Sequence, residues 1–277
     1  MKNNEIGFFF LLIIVLAACS TTNTENSVQS PDAGNLNFEN ASYQESQFGS
    51  CDTTGGVSIQ IRYLEPGANE DGEPEKTGQN VSTFIRSSMV HLINSYTDST
   101  YLQATPKAST HIPEAFEAFA RNYRQFKSEF PESLGCWTIE LNGDTVMTTP
   151  KIVVYQLDQY SFTGGAHPNT YTGFYIFDKN GRPKQLTSFI KDTTQLLERA
   201  EVAFRELEKV PDRASLQEVG YFLPGNQFFL PANMAFTREG VLFLYNPYEI
   251  AAYARGPIQF IIPYSRLTDI IHQDLIF

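Results

Sequence analysis

The chain has 277 residues and a formal net charge of −11, from 20 lysine and arginine residues against 31 aspartate and glutamate residues. A nucleic-acid-binding protein needs a basic face to neutralise phosphates, so this balance excludes a nucleic-acid partner and argues against electrostatic docking on anionic lipid. Apolar residues make up 42% of the chain and aromatic residues 13%, which excludes a disordered protein and allows a sizeable core.

Residues 1–18 have the pattern of an export signal. Phe8 to Ala18 is an unbroken apolar run, which is too short for a spanning helix of about 20 residues. The run ends in Leu16-Ala17-Ala18-Cys19, which resembles the lipobox of bacterial lipoproteins. The resemblance implies cleavage before Cys19 and lipidation of that cysteine; the alternative is an ordinary secretory signal with an unrelated cysteine.

Lipidation of Cys19 would fix the location of the protein. Several acyl chains on one residue hold a protein stably on a membrane. Ser20 follows the cysteine, and by resemblance to proteobacterial sorting signals this favours the periplasmic face of the outer membrane. We therefore expect a lipid-anchored protein of the cell envelope.

Residues 19–50 are rich in Ser, Thr, Asn, Gln and Gly, which predicts a flexible tether with order beginning near Cys51. Cys51 and Cys136 are the remaining cysteines. In an oxidising compartment two thiols predict one disulfide, and the alternative is two separate buried thiols. Neither cysteine has a histidine or cysteine at metal-ligand spacing.

Residues 51–150 predict a small α/β subdomain. Apolar and polar residues alternate over 57–63, which predicts a strand. Apolar residues at helical spacing predict helices over roughly 78–95 and 113–130. After Cys136 the pattern changes to strands, and Asn142-Gly143 predicts a hairpin turn.

Residues 151–277 predict a second, C-terminal domain. Strands are expected at 151–162 and 170–177, and a helix over about 192–208 begins at a cap, Asp192 or Thr193. Because strands and helices are segregated, the sequence predicts an α+β fold of two subdomains, with mainly antiparallel sheets and packed helices. The remaining predicted elements are strands at 227–230, 234–237, 241–245 and 257–262, and a short helix at 265–271.

The motifs of common enzyme classes are missing from the sequence. It contains no GxSxG, HExxH, GxxxxGK[ST] or CxxC. Its histidines are far apart in the chain, which argues against a local metal cluster. We therefore expect neither metal nor cofactor, and the sequence favours a non-catalytic protein over an enzyme. The four histidines are His91, His111, His167 and His272.

The first candidate segment is the loop that carries Thr163, Gly164, Gly165 and His167 between two predicted strands. Glycine permits a positive φ and a close backbone approach. His167 could contact a partner there or act in acid–base chemistry. The structural alternative is a tight turn in which His167 is hydrogen-bonded to the backbone.

The second candidate segment contains Tyr248, Glu249 and Tyr253. Glu249 lies among apolar and aromatic neighbours, where a carboxylate needs a partner or a raised pKa. The functional hypothesis is that Glu249 and His167 meet in one cleft, with Tyr248 and Tyr253 as its walls. The structural alternative is that Glu249 accepts backbone N–H bonds.

Together the two segments resemble a known family. A strand ending in TGGAH-P, a strand with a D-x-x-G turn, a helix, and then Y-x-P-Y-E-I-A-x-Y-A-x-G and I-P-Y resemble the RsiV-type C-terminal domain of unknown function. That domain occurs in the lysozyme-sensing anti-sigma factor RsiV, beside PdaC-type peptidoglycan deacetylase domains, and in bacterial lipoproteins. The resemblance covers roughly 55–275 and implies an α+β fold with a smaller α/β domain first.

The resemblance and the charge together give two functional hypotheses. The first is a non-catalytic binding module for peptidoglycan or for a lysozyme-like cationic protein, because an acidic domain suits a basic partner. The alternative is a cell-wall hydrolase that uses His167 and Glu249 as acid and base. The chain lacks the sigma-binding segment and the deacetylase domain of its counterparts, so neither of those activities is expected.

Overall fold

The computed structural model describes residues 36–49, 51, 55–67, 76–133 and 135–277. The predicted export signal, the predicted lipidation site at Cys19 and the first part of the predicted tether lie outside these residues. No helix in the described part of the chain is long and apolar enough to cross a membrane.

The described residues form nine strands and four α-helices. Strands β1 to β6 form one sheet in chain order, and β7, β8 and β9 form a second. Every strand pairing in the two sheets is antiparallel except β2 with β3. The α+β prediction is therefore confirmed. The elements are β1 (Phe38–Gln47), β2 (Val57–Pro66), α1 (Lys76–Asn94), α2 (Ser99–Ala104), α3 (Ile112–Glu129), β3 (Trp137–Thr148), β4 (Ile152–Phe162), β5 (Asn169–Asp178), β6 (Pro183–Lys184), α4 (Thr193–Glu208), β7 (Asn233–Phe236), β8 (Gly240–Tyr245) and β9 (Ile258–Pro263).

Helices α1 and α3 cover one face of the six-stranded sheet. Successive side chains of a strand point to opposite faces, so Ile59 and Ile61 of β2 and Ile139 of β3 face the helices and are buried. Phe116 and Phe119 of α3 belong to the same core. The apolar residues whose spacing predicted this helix therefore pack into the core.

Strand β4 contributes side chains to two cores. Val153 and Tyr155 belong to the core beneath α1 and α3. Ile152 and Val154 belong to a second core, which also contains the buried face of α4 and residues of β7 to β9. The six-stranded sheet contains strands from both sides of residue 150, where the sequence predicted the boundary between the two subdomains.

The prediction that order begins near Cys51 is wrong. Strand β1 lies within the predicted tether and pairs with β2 along its whole length, from Phe38 opposite Pro66 to Gln47 opposite Val57. Phe38 and Tyr43 pack against the first core. The strand was missed because an edge strand has few large apolar residues and a polar outer face.

The hairpin turn predicted at Asn142-Gly143 is also wrong, because β3 runs straight through this dipeptide. The turn into β4 lies at 149–151, where the Thr149 hydroxyl accepts hydrogen bonds from the backbone N–H groups of Lys151 and Ile152. Gly143 instead leaves room for Tyr155. A Cβ at residue 143 would lie 2.2 Å from the Tyr155 hydroxyl oxygen.

We expect Gly143→Ala to lower the free energy of unfolding by about 1–3 kcal/mol, the usual range for an overpacked core. The Tyr155 ring cannot move aside, because it is fully buried and its hydroxyl donates to the Leu64 carbonyl at 2.8 Å. Urea unfolding measures the loss. The exposed neighbour gives the control: Asn142→Ala should change stability by no more than about 0.5 kcal/mol, and equal losses at both positions would contradict this role.

The other predictions differ from the structure at element ends and in the loops. Helices α1, α3 and α4 begin and end within two residues of the predicted ends. Asp192 caps α4 by accepting from the Gln195 N–H at 3.0 Å, and this bond lowers the pKa of the Asp192 carboxyl. Residues 227–230 form no strand, 265–271 contain no α-helix, and the short helix α2 was not predicted.

Cys51 and Cys136 form the expected disulfide.

Candidate functional site

The loop 163–168 joins β4 to β5 at one end of the six-stranded sheet. Gly164 and Gly165 have φ of +93° and +106°, the left-handed region that glycine adopts without strain. Apart from each glycine and its two chain neighbours, no atom of the described residues lies within 4 Å of a Cβ built on either residue. The predicted positive φ is therefore present, but no other described part of the chain approaches these glycine residues closely. Thr163, Gly164 and Gly165 present an open loop to solvent.

His167 is held on three sides. Its Nδ1 lies 3.0 Å from the Pro168 carbonyl oxygen, its Nε2 lies 3.0 Å from the Tyr248 hydroxyl, and its ring stacks on Tyr253 with centroids 3.8 Å apart. A carbonyl oxygen can only accept, so Nδ1 carries the proton and Nε2 accepts from Tyr248 in the neutral imidazole. The aromatic cluster of His167, Tyr248 and Tyr253 joins the two predicted segments.

Tyr248 occupies a strained turn position. The Glu249 N–H donates to the Asn246 carbonyl at 3.0 Å, so residues 246–249 form a β-turn with Pro247 at its second position. Tyr248 takes the third position with φ of +69°, where turns with a positive φ normally place glycine or asparagine. A bulky residue in this region is an outlier. The turn presents a tyrosine side chain that is 56% exposed.

Glu249 holds that turn in place. Its Oε1 accepts from the Ala232 N–H and its Oε2 from the Asn246 N–H, each at 2.8 Å. The carboxylate makes no hydrogen bond to His167 among the contacts of these described residues. The sequence hypothesis of a His167–Glu249 pair in one cleft is therefore wrong, and the structural alternative for Glu249 is confirmed. His167 and Tyr248 meet instead.

Two asparagines that the sequence analysis missed attach this region to β5. Asn246 accepts from the Thr172 N–H at 2.8 Å and donates to the Thr172 carbonyl at 2.9 Å. Asn233 accepts from the Phe174 N–H at 3.4 Å. Both side chains are buried, and they supply the hydrogen bonds that a neighbouring strand would give this part of β5. The Asn246-Pro247 dipeptide is a turn signal that could have drawn attention to the first of them.

A buried carboxylate fixes the segment that carries Tyr253. Glu208 accepts from Tyr221 at 2.6 Å and from Arg255 Nε at 3.2 Å, and its side chain is only 5% exposed. Burial, then the bond to the Glu208 carboxylate, raises the pKa of Tyr221 to about 12. The same carboxylate raises the pKa of Arg255. Arg255 therefore stays charged and anchors the turn that begins at Tyr253.

The site offers ring faces and hydroxyl groups rather than an acid–base pair. Across the residues that the structure describes, no three His, Cys, Asp or Glu side chains are grouped so that they could hold a metal ion. Burial and the charge of Glu249 raise the pKa of the nearby Tyr245 above its usual value, so that phenol stays protonated. The arrangement is suited to contact with a partner through Tyr248, His167 and the loop at 163–168.

Two families with known sequence profiles match the chain. Residues 57–170 match the family described as "Deacetylase PdaC", and residues 169–265 match the family described as "Protein of unknown function (DUF3298)". No curated protein matches the sequence.

Solved structures of the DUF3298 family share the fold. A family member from Bacteroides fragilis NCTC 9343 is 22% identical, with 87% of this chain and 95% of that chain covered and a TM-score of 0.64. A family protein from Pseudomonas aeruginosa PAO1 is 20% identical, with 87% and 96% covered and a TM-score of 0.59. The chain is thus similar to the PdaC family in its first part, to the DUF3298 family in its second, and to DUF3298 proteins in overall fold.

Proposed function

We propose that the protein is a lipid-anchored, non-catalytic binding module of the bacterial cell envelope whose partner is a lysozyme-like cationic protein. The observation that carries the proposal is the exposed Tyr248 in a strained turn, packed beside His167 and Tyr253. Backbone strain persists only where the surrounding structure holds it, and it is concentrated at functional sites. Here Glu249 and Asn246 hold it.

The chemistry of the cluster supports a protein partner with basic side chains. Tyrosine is enriched at the centres of protein interfaces, and aromatic ring faces attract lysine and arginine. The formal charge of −11 adds attraction for a basic partner and speeds encounter. The resemblance to RsiV-type domains, one of which senses lysozyme, agrees with this chemistry. The hydrolase alternative loses its support because Glu249 is engaged by backbone N–H groups.

The test is the binding of chicken egg-white lysozyme to wild-type protein and to Tyr248→Gly. Glycine removes the aromatic ring and relieves the positive φ at residue 248. We therefore expect the melting temperature to stay the same or rise, while affinity falls about 30-fold, as for loss of an interface hot spot of about 2 kcal/mol. Isothermal titration calorimetry and differential scanning calorimetry measure the two quantities.

The matched control is Phe130→Ala, which removes an aromatic side chain of similar exposure, 55%, at the end of α3. It should leave lysozyme affinity unchanged. Three results would each contradict the proposal: no binding of lysozyme by the wild type, equal binding by Tyr248→Gly, or sedimentation with purified peptidoglycan that Tyr248→Gly abolishes. The last result would assign the cluster to the cell wall instead.

A further inference from the structure

The face of the six-stranded sheet opposite α1 and α3 carries two continuous rows of polar side chains. Because strand register fixes which residues lie side by side, each row can be followed across five strands. We call these two rows together the open face. The first row is Ser42, Arg62, Asn142, Asp158 and Thr172, and the second is Gln44, Gln60, Glu140, Tyr160 and Thr170. Neighbouring strands are about 4.8 Å apart, so each row is about 19 Å long.

The open face is polar and carries few charged side chains. Its rows hold amides, hydroxyls, two carboxylates and Arg62, but no lysine. Sheets commonly pair opposite charges across strands, yet Arg62 makes no ion pair within the described part of the chain, although Asp158 lies in the same row. Amide side chains both donate and accept hydrogen bonds. Tyr160 adds an aromatic ring that is 37% exposed.

A groove of about 480 Å³ opens at one side of the first row, within the range of small-ligand sites. Its carboxylates are already fixed: Asp158 accepts from Gln156 at 2.7 Å and from Thr172 at 2.6 Å, and Asp144 accepts from the Thr145 N–H at 2.6 Å. A β-bulge between Thr145 and Met147 distorts the strand beside the groove, as bulges often do next to functional sites. Apolar Leu64 and Val146 complete the lining.

We infer that the open face binds a glycan strand that carries hydroxyl and acetamido groups. Amide and carboxylate side chains match sugar hydroxyls, and the amides of Gln60 and Asn142 match acetamido groups as both donors and acceptors. Leu64, Val146 and Tyr160 offer apolar surface for the C–H faces of sugar rings. Two parallel rows suit an extended ligand lying across the strands. The residues of this site are different from those of the aromatic cluster, so its assignment does not depend on the proposed function.

A cationic protein suits the open face less well than it suits the aromatic cluster. The central positive charge of Arg62 would face basic side chains of such a partner. Most side chains around it are uncharged amides and hydroxyls. An uncharged, hydroxyl-rich polymer meets no charge repulsion on this surface, and its oxygen atoms can accept hydrogen bonds from Arg62.

The experiment titrates N-acetylglucosamine tetramer into the chain from Ser20 onward, which keeps every described element. Backbone amide signals are followed by two-dimensional NMR. We expect shifts at Gln60, Arg62 and Asn142, and an affinity at least tenfold lower in the double variant Gln60→Ala, Asn142→Ala. Cellotetraose, which has hydroxyls but no acetamido groups, should bind more weakly than the acetylated tetramer.

The matched control is Gln259→Ala, which removes an exposed amide from β9 in the other sheet. It should bind the tetramer like the wild type. The inference is overturned if the wild type shows no shifts, if the double variant binds unchanged, or if the shifts fall at 163–168 and 247–255. Should the double variant fail to fold, Arg62→Gln replaces it, with the same expected loss. None of these outcomes alters the lysozyme test, because Tyr248 is not on the open face.

Discussion

Replacing both Cys51 and Cys136 by serine should lower the free energy of unfolding by about 4 kcal/mol, the value expected when a crosslink of this span is lost from the unfolded chain. The two residues are 85 positions apart and their Cα atoms lie 5.1 Å from each other. The stretch of chain that this disulfide closes into a loop contains α1, α2 and α3. Urea unfolding of the oxidised wild type and the double variant measures the difference.

The position of the disulfide explains why its loss should be felt throughout the first core. It lies just before the parallel pair of β2 and β3, which begins with Val57 opposite Trp137. A parallel pair requires a long crossover, and the entropy of closing that loop opposes folding. The crosslink holds the two strand starts together before folding. A reduced wild type that unfolds at the same urea concentration as the oxidised protein would contradict this account.

Glu249→Ala should lower the free energy of unfolding by about 2–4 kcal/mol, because a carboxylate that accepts two backbone N–H bonds is lost. A hydrogen bond to a charged group contributes about 1.5–3 kcal/mol when it is buried; because Glu249 is only half-buried, we expect about 1–2 kcal/mol from each of its two bonds. The bonds to Ala232 and Asn246 also hold Tyr248 at its positive φ. Urea unfolding and near-ultraviolet circular dichroism follow stability and tyrosine packing.

Two further variants separate this structural role from a catalytic one. Glu249→Gln keeps an acceptor oxygen and should lose less stability than Glu249→Ala. Glu239→Ala removes an exposed carboxylate from the turn at the other end of β8 and should change stability by no more than about 0.5 kcal/mol. A Glu249→Ala protein with wild-type stability would show that the carboxylate does not hold the turn.

Sequence patterns predicted the parts of the fold that bury a periodic apolar face. Helices α1, α3 and α4 follow from helical spacing, and β4 and β5 from long runs of strand-forming residues. Strand β1 was missed because its order comes from pairing with β2, a long-range contact that leaves little mark in local composition. Gly143 was misread because its role depends on Tyr155, which packs over it from the next strand.

The sequence predicted which residues belong to the candidate site, but it did not predict which groups those residues contact. The sequence identified candidate site residues that include His167, Tyr248 and Tyr253, and the structure brings these three together in one cluster. For Glu249 it left two hypotheses, a cleft shared with His167 and hydrogen bonds from backbone N–H groups. The structure confirms the second hypothesis, but no sequence pattern identifies the donors as the N–H groups of Ala232 and Asn246. The same holds for Asn246, whose two bonds go to the backbone of Thr172.

The pairing of β4 with β5 has a consequence for the recombination of the gene segments that encode this chain. The two family matches meet at residues 169 and 170, so β4 lies in one match and β5 in the other, paired over ten positions. His167 comes from the first match, and Tyr248 and Tyr253 come from the second. Recombination at residues 169 and 170 would separate β4 from β5 and leave an unpaired strand edge in each fragment. It would also separate His167 from Tyr248 and Tyr253. Each segment therefore needs the other, or a different strand that pairs with its exposed edge, to keep the sheet complete.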